Sequence, residues 1–123
     1  MENKTRIVNL TQHDASVEQK GVFEPHQKEK VKQLLTFSSL PEREEIKERA
    51  EQLAKIAESE KVDFAMIGGA PYLMSALEEA LIKKGINPLY AFSKRESVEK
   101  TLSDGRVEKT QVFRHLGFVE VKK

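Results

Sequence analysis

The spacing of apolar and polar positions changes character several times along the chain, and each change marks an element. Residues 6 to 10, RIVNL, are a short apolar run that predicts a buried first strand. The polar stretch TQHDASVEQKGVFEP follows as a loop, with Gly21, Val22 and Phe23 forming a brief extended piece. From Pro25 the pattern turns helical, because Val31, Leu34 and Leu35 recur at i, i+3 and i+4 while Lys28, Glu29, Lys30 and Lys32 cover the outside.

The clearest helix lies in SSLPEREEIKERAEQLAKIAESE. Ser39 and Glu42 have the spacing of a capping box, and Pro41 suits a first turn. Ile46, Ala50, Leu53, Ala54 and Ala57 make one apolar stripe, and the charged residues between them form a solvated face. FAMI then reads as a parallel strand buried on both faces. A Gly-Gly turn leads into a helix with Leu73, Leu77, Ala80 and Leu81 inward, closed by Lys83, Lys84 and Gly85. PLYAF is the next strand, completing a right-handed βαβ unit.

The tail predicts a hairpin between SVEKTL and RVEKTQVF. A two-residue Asp-Gly turn would set Lys100 against Lys109, a repulsive pair. A three-residue loop, Ser103–Asp104–Gly105, instead pairs Lys100 with Glu108 and Glu99 with Lys109. The expected fold is therefore α/β, a Rossmann-like three-layer α/β/α arrangement with a mainly parallel sheet and a C-terminal β-hairpin. One domain spans residues 1 to 123, a length that supports a single core.

Charge narrows the partners. With 21 basic and 20 acidic residues no global field selects duplex DNA or a membrane surface, so an anion must be caught by a local cluster. Cysteine is absent, which excludes disulfides, thiol catalysis and zinc-thiolate sites. No run reaches signal or transmembrane length, and the expected setting is cytoplasmic. His13 and His26 show no metal-ligand spacing with an acidic partner, so neither a metal nor a cofactor is expected.

Open α/β sheets bind ligands beyond the carboxyl ends of their parallel strands. Three segments should reach that edge: NLTQH, GGAP and FSKRES. Asn9, Thr11 and Gln12 are polar there; Gly68 and Gly69 offer backbone N–H groups beside a helix start, or simply turn the chain. Ser93, Lys94, Arg95 and Glu96 follow a buried strand directly, where Arg95 could fork onto a phosphate, or the four form an ordinary polar loop. His115, between Phe113 and Phe118, is either a general acid or a histidine closing the core.

PLYAFSKRESVE followed by DGRVEKTQVFRHLGF resembles the C-terminal half of the small stand-alone CARF-like (CRISPR-associated Rossmann fold) proteins of type III CRISPR systems. Ser93, Arg95, Glu99, Lys109, Phe113 and His115 fall on that family's recurring positions, and NLT with the later VEQ is similar to its opening. The likeness is clearest over residues 62 to 120 and loose over 24 to 60. It implies a homodimer that binds a cyclic oligoadenylate second messenger in antiviral signalling. It also implies that Ser93, Arg95 and His115 are candidates for metal-independent ring cleavage by a ribose 2′-OH. A non-catalytic nucleotide sensor or sponge, or a protein-interaction module, are the alternatives.

Overall fold

A computed structural model describes residues 5–122. Its elements run β1 (Ile7–Leu10), β2 (Val22–Phe23), α1 (Lys28–Leu35), α2 (Arg43–Ser59), β3 (Phe64–Ile67), α3 (Pro71–Lys83), β4 (Asn87–Thr101) and β5 (Val107–Glu120). The five strands form one sheet in the order β2-β1-β3-β4-β5. β1 pairs in parallel with β2 and β3, β3 pairs in parallel with β4, and β5 returns antiparallel to β4. The protein is thus α/β with a mainly parallel sheet.

Strand alternation decides which side chains meet the helices. Val8, Leu10, Ala65 and Ile67 join the buried stripes of all three helices in one cluster, with Val31 and Leu35 of α1, Leu53 and Ala57 of α2, and Leu73 and Leu77 of α3. Ile7, Met66 and Leu89 make a second, smaller cluster, against which Val22, Phe64 and Phe118 pack. The helical periodicities are therefore all used as expected, and Val22–Phe23 is the brief extended piece that Gly21 prepares. Gly21 has φ +85°, and a Cβ there would stand 2.7 Å from the Thr5 carbonyl oxygen, so a side chain cannot be accommodated.

Helix α3 closes with a Schellman motif. Gly85 adopts φ +77°, its N–H reaches the Ile82 carbonyl, and the Ile86 N–H reaches that of Leu81. The start of α2 differs from the expected one. Ser39 and Glu42 form no capping box; the helix begins at Arg43 with Glu42 as an extended N-cap that makes no side-chain cap. Residues 36–42 instead turn around Phe37, whose ring carries the Arg49 guanidinium at 4.2 Å. Arg49 also donates to the carbonyls of Leu34 and Thr36, and so joins the end of α1 to α2.

The larger correction concerns FSKRES. It is not a loop: PLYAF and SVEKTL are one continuous strand, β4, and it pairs with β5 from Leu89–Glu120 to Thr101–Val107. A bulge at Phe92/Ser93 bends this ribbon where it leaves the parallel sheet. The register is the one the charges require, with Glu99 opposite Lys109 and Lys100 opposite Glu108. Its turn is Ser103–Asp104–Gly105, Gly105 has φ +90°, and the Leu102 N–H closes onto the Arg106 carbonyl at 2.7 Å. Among the described residues no helix is long and apolar enough to cross a membrane.

One buried acid fixes the junction below α1. Glu60, 8% exposed at the end of α2, accepts the His26 backbone N–H at 2.7 Å and the His26 ring Nδ1 at 3.0 Å. Burial alone would raise its pKa, but those hydrogen bonds and the charges of His26 and Arg6 outweigh it and hold the carboxyl below the usual range. A carboxylate with a depressed folded-state pKa contributes stability above its unfolded pKa and loses it as pH falls through the folded value. Glu60→Ala is predicted to cost about 1–3 kcal/mol at neutral pH, since the His26 N–H loses its acceptor. Its melting temperature should also fall less than that of the wild type on acidification; equal acid sensitivity in thermal melts would contradict this role for Glu60.

Candidate functional site

A cavity of about 400 Å³ opens at the carboxyl ends of β1, β3 and β4. β1 lies between β2 and β3, and the chain crosses from one side of it to the other, so the cavity sits where the strand order reverses. Thr11, Gln12, His13, Asp14 and Gln19 form its wall from the β1–β2 loop. Met66, Ile67, Gly68 and Gly69 come from the end of β3, and Tyr90 and Ala91 from β4.

Asn9 shapes the loop. It is fully buried, and its carboxamide is saturated. Oδ1 accepts the Thr11 N–H at 2.9 Å and the Thr11 hydroxyl at 2.6 Å. Nδ2 donates to the His13 carbonyl at 2.7 Å and to the Glu24 carboxylate at 3.0 Å. Glu24 in turn accepts the Ala15 N–H at 3.0 Å and an ion pair from Lys28 at 2.6 Å. The Lys28 ammonium spends its two other N–H bonds on the carbonyls of Thr11 and His13. Burial pushes the Glu24 pKa up, but Lys28, the Ala15 N–H and Asn9 together pull it below the usual range, so the network stays charged at neutral pH.

The β3 side is built by the Gly-Gly turn. Gly69 has φ +151°, a backbone region that side chains rarely adopt, whereas a Cβ on Gly68 would meet only the Thr11 methyl, at an ordinary 3.6 Å. Helix α3 starts just beyond, with Pro71 in its first turn, no side-chain cap and no acidic residue in that turn. On the β4 side, the Tyr90 hydroxyl donates to Glu78 at 2.5 Å. Burial first, and then that hydrogen bond and the Glu78 charge, raise the Tyr90 pKa and keep the phenol neutral.

The expected site residues divide into two groups. Thr11, Gly68 and Gly69 line the cavity, and Asn9 supports it from beneath, with no hydrogen-bonding capacity left for a ligand. Ser93, Lys94, Arg95 and Glu96 are not among its lining residues and stand on the ribbon. There Ser93 lies opposite His115, Arg95 stacks on Phe113 at 5.2 Å, and Glu96 pairs with Arg114 at 2.9 Å. His115 meets Phe118 edge to face at 4.7 Å, and its Nδ1 is buried without a partner. The cavity walls contain His13 and Asp14 but neither Lys nor Arg. Among the described residues no three His, Asp or Glu gather to hold a metal ion.

Sequence reasoning put His13 in a segment reaching this edge without naming it a site residue, and missed Asp14, Gln19 and Tyr90 as wall residues. Tyr90 was readable only as an apolar strand position. The other two belong to a loop whose path depends on a contact between Asn9 and Glu24, fifteen residues apart.

Residues 5–119 match the Uncharacterized protein MJ1673 family. No curated protein and no solved structure matches the chain.

The network yields a sharp expectation for Asn9. Asn9→Ala should cost about 1–3 kcal/mol by orphaning the Thr11 N–H, and should speed amide exchange across residues 11–15. Asn9→Asp, though isosteric, should be at least as damaging, because a second carboxylate oxygen would face Glu24 and the His13 carbonyl. An Asp variant as stable as the wild type at neutral pH would contradict the assignment.

Proposed function

We infer a function for a chain that belongs to the Uncharacterized protein MJ1673 family: it binds a small adenine nucleotide in the crevice at the carboxyl ends of β1, β3 and β4. One observation carries this reading. Two glutamines in the crevice wall each have one half of the amide engaged and the other half unengaged. Gln12 Nε2 is held by the Thr36 hydroxyl at 3.0 Å, leaving Oε1 to accept. Gln19 Oε1 is held by the Ser16 N–H at 2.9 Å, leaving Nε2 to donate. An acceptor and a donor on one wall complement the N6 amino group and the adjacent ring nitrogen of adenine. Met66, Ile67 and Tyr90 supply the apolar surface such a base needs.

The switch-point position and the Gly68–Gly69 turn before α3 support a nucleotide over an uncharged metabolite, since backbone N–H groups at a helix start receive phosphate well. Together with the resemblance of residues 90–118, this makes a cyclic oligoadenylate the ligand class to test first, in a cytoplasmic signalling setting. The Rossmann-like, three-layer description belongs to the same proposal. It is supported by the parallel β1–β3–β4 core with its helical crossovers; the helices join one cluster, and the cluster on the other face is made of strand side chains.

Capture without cleavage is the form of this function the crevice favours. Ring opening by a 2′-OH develops more negative charge on the phosphorane than a phosphate ground state carries, and a cation beside the Gly68–Gly69 amides would be needed to meet it. The cations in question, Lys94 and Arg95, stand on the ribbon with Ser93 and His115.

Calorimetry with cyclic tri-, tetra- and hexa-adenylate, without metal, tests the reading, with a cyclic guanylate as control. Gln12→Ala and Gln19→Ala should each weaken adenylate binding by about 0.5–1.5 kcal/mol and leave the fold intact. Arg95→Ala should matter only if the ribbon reaches the ligand phosphate, and should then cost about 1.5–3 kcal/mol. Equal binding of guanylate and adenylate rings, or unchanged affinity in both glutamine variants, would overturn adenine recognition. Ring-opened product on incubation would overturn capture without cleavage.

A further inference from the structure

The β4–β5 ribbon is the part of the molecule whose form the crevice does not explain. β4 pairs with β3 only through Asn87, Pro88 and Leu89, and from there to the turn its sole neighbour is β5. Two-stranded ribbons are marginal in water unless something covers them. This one also carries most of the exposed apolar surface. Of the ten exposed large hydrophobic residues among those described, seven lie on it, between 37% and 67% exposed: Phe92, Val98, Val107, Val112, Phe113, Leu116 and Val119. Five of those seven are on β5, which is the outer strand of the sheet along its whole length. A long, Pro-free edge with exposed valines and a phenylalanine is a template for adding another strand.

We propose that this edge is the interface with a second copy of the chain, formed by antiparallel pairing of β5 with β5 about a two-fold axis at Gln111. The charge pattern of β5 selects both the occupant and the register. With the axis at Gln111, Glu108 of each copy falls opposite Arg114 of the other, Lys109 opposite Phe113, and Thr110 opposite Val112. An axis half a residue on, between Gln111 and Val112, sets Lys109 against Arg114. An axis at Thr110 sets Arg106 against Arg114, and one at Val112 leaves Glu108 opposite Leu116. Like charges directly opposite are destabilising, and the first register places two ion pairs and no repulsion. Axes at Phe113 or Gly117 would also oppose unlike charges, Arg106 or Arg114 to Glu120, but Glu120 already accepts the Asn87 amide at 2.9 Å.

Arg114 is 55% exposed while it pairs with Glu96, and a guanidinium has further N–H donors for a second carboxylate. A two-fold axis uses the same patch on both partners, so a self-complementary strand needs no other protein to close the contact. The pairing joins two five-stranded sheets into one and leaves both crevices open, because the crevices lie on the β1, β3 and β4 strand ends. It does not depend on what the crevices bind.

Sedimentation velocity over a concentration series tests this with two charge reversals, Glu108→Arg and Arg114→Glu. The wild type is expected to dimerise, and each variant alone to dissociate about tenfold or more readily, since its homodimer opposes like charges. An equimolar mixture of the two variants should recover the dimer, because the heterodimer restores both ion pairs; loss of fold cannot produce that rescue. A wild type that stays monomeric at the highest attainable concentration overturns the proposal. So do single variants that dimerise as well as the wild type, or a mixture that stays dissociated.

Discussion

A single buried amide sets the conditions for the site. Asn9 is the one polar side chain in the apolar run of β1, and a buried polar group without partners would destabilise that strand by several kcal/mol, roughly 2–7 on transfer scales. It is tolerated because the chain after it doubles back and saturates it, through Thr11, His13 and Glu24. The same contacts that satisfy the amide hold the β1–β2 loop over the strand ends. Loop conformation and strand stability are thus one quantity, and the crevice wall exists because β1 cannot be buried without it.

The second constraint is the parallel core. Its alternating residues go to two different clusters, one shared with every helix and a smaller one around Met66. The helices commit one face of the sheet, and the cavity opens at the carboxyl strand ends, where the order reverses. The Gly-Gly turn is required by backbone geometry at one position. Gly69 supplies a backbone conformation that other residues resist, and the chain enters α3 directly after it. That requirement involves no ligand, which is why the unengaged halves of Gln12 and Gln19 carry the proposed site rather than the glycines.

Much of the fold was legible because helix stripes and buried strands have strong periods. Val31, Leu34 and Leu35, the Ala50–Ala57 stripe and FAMI all sit where their spacing puts them. The hairpin register was legible for a different reason: Lys100 and Lys109 repel, and one loop length avoids it. SKRES was misread as a loop because a ribbon with no core face shows no apolar alternation, so Ser93 to Glu96 look like polar surface whether paired or not. The capping box failed because Phe37 and Arg49 direct the chain before α2, a tertiary contact invisible to local spacing. Of the site, Thr11, Gln12 and the two glycines were visible from position alone. Asp14 and Gln19 were not, since only the Asn9–Glu24 contact brings that part of the loop over the sheet.

The central claim is that the Asn9-supported crevice, rather than the ribbon, receives the adenine ring. Amide chemical-shift mapping of the isotope-labelled protein during titration with cyclic tetra-adenylate tests it most directly. The account predicts saturable shifts concentrated at Thr11, Gln12, Gln19, Gly68 and Gly69, with smaller changes along residues 93–101. Shifts confined to the ribbon, with the Gly68 and Gly69 amides unmoved at saturation, would contradict it.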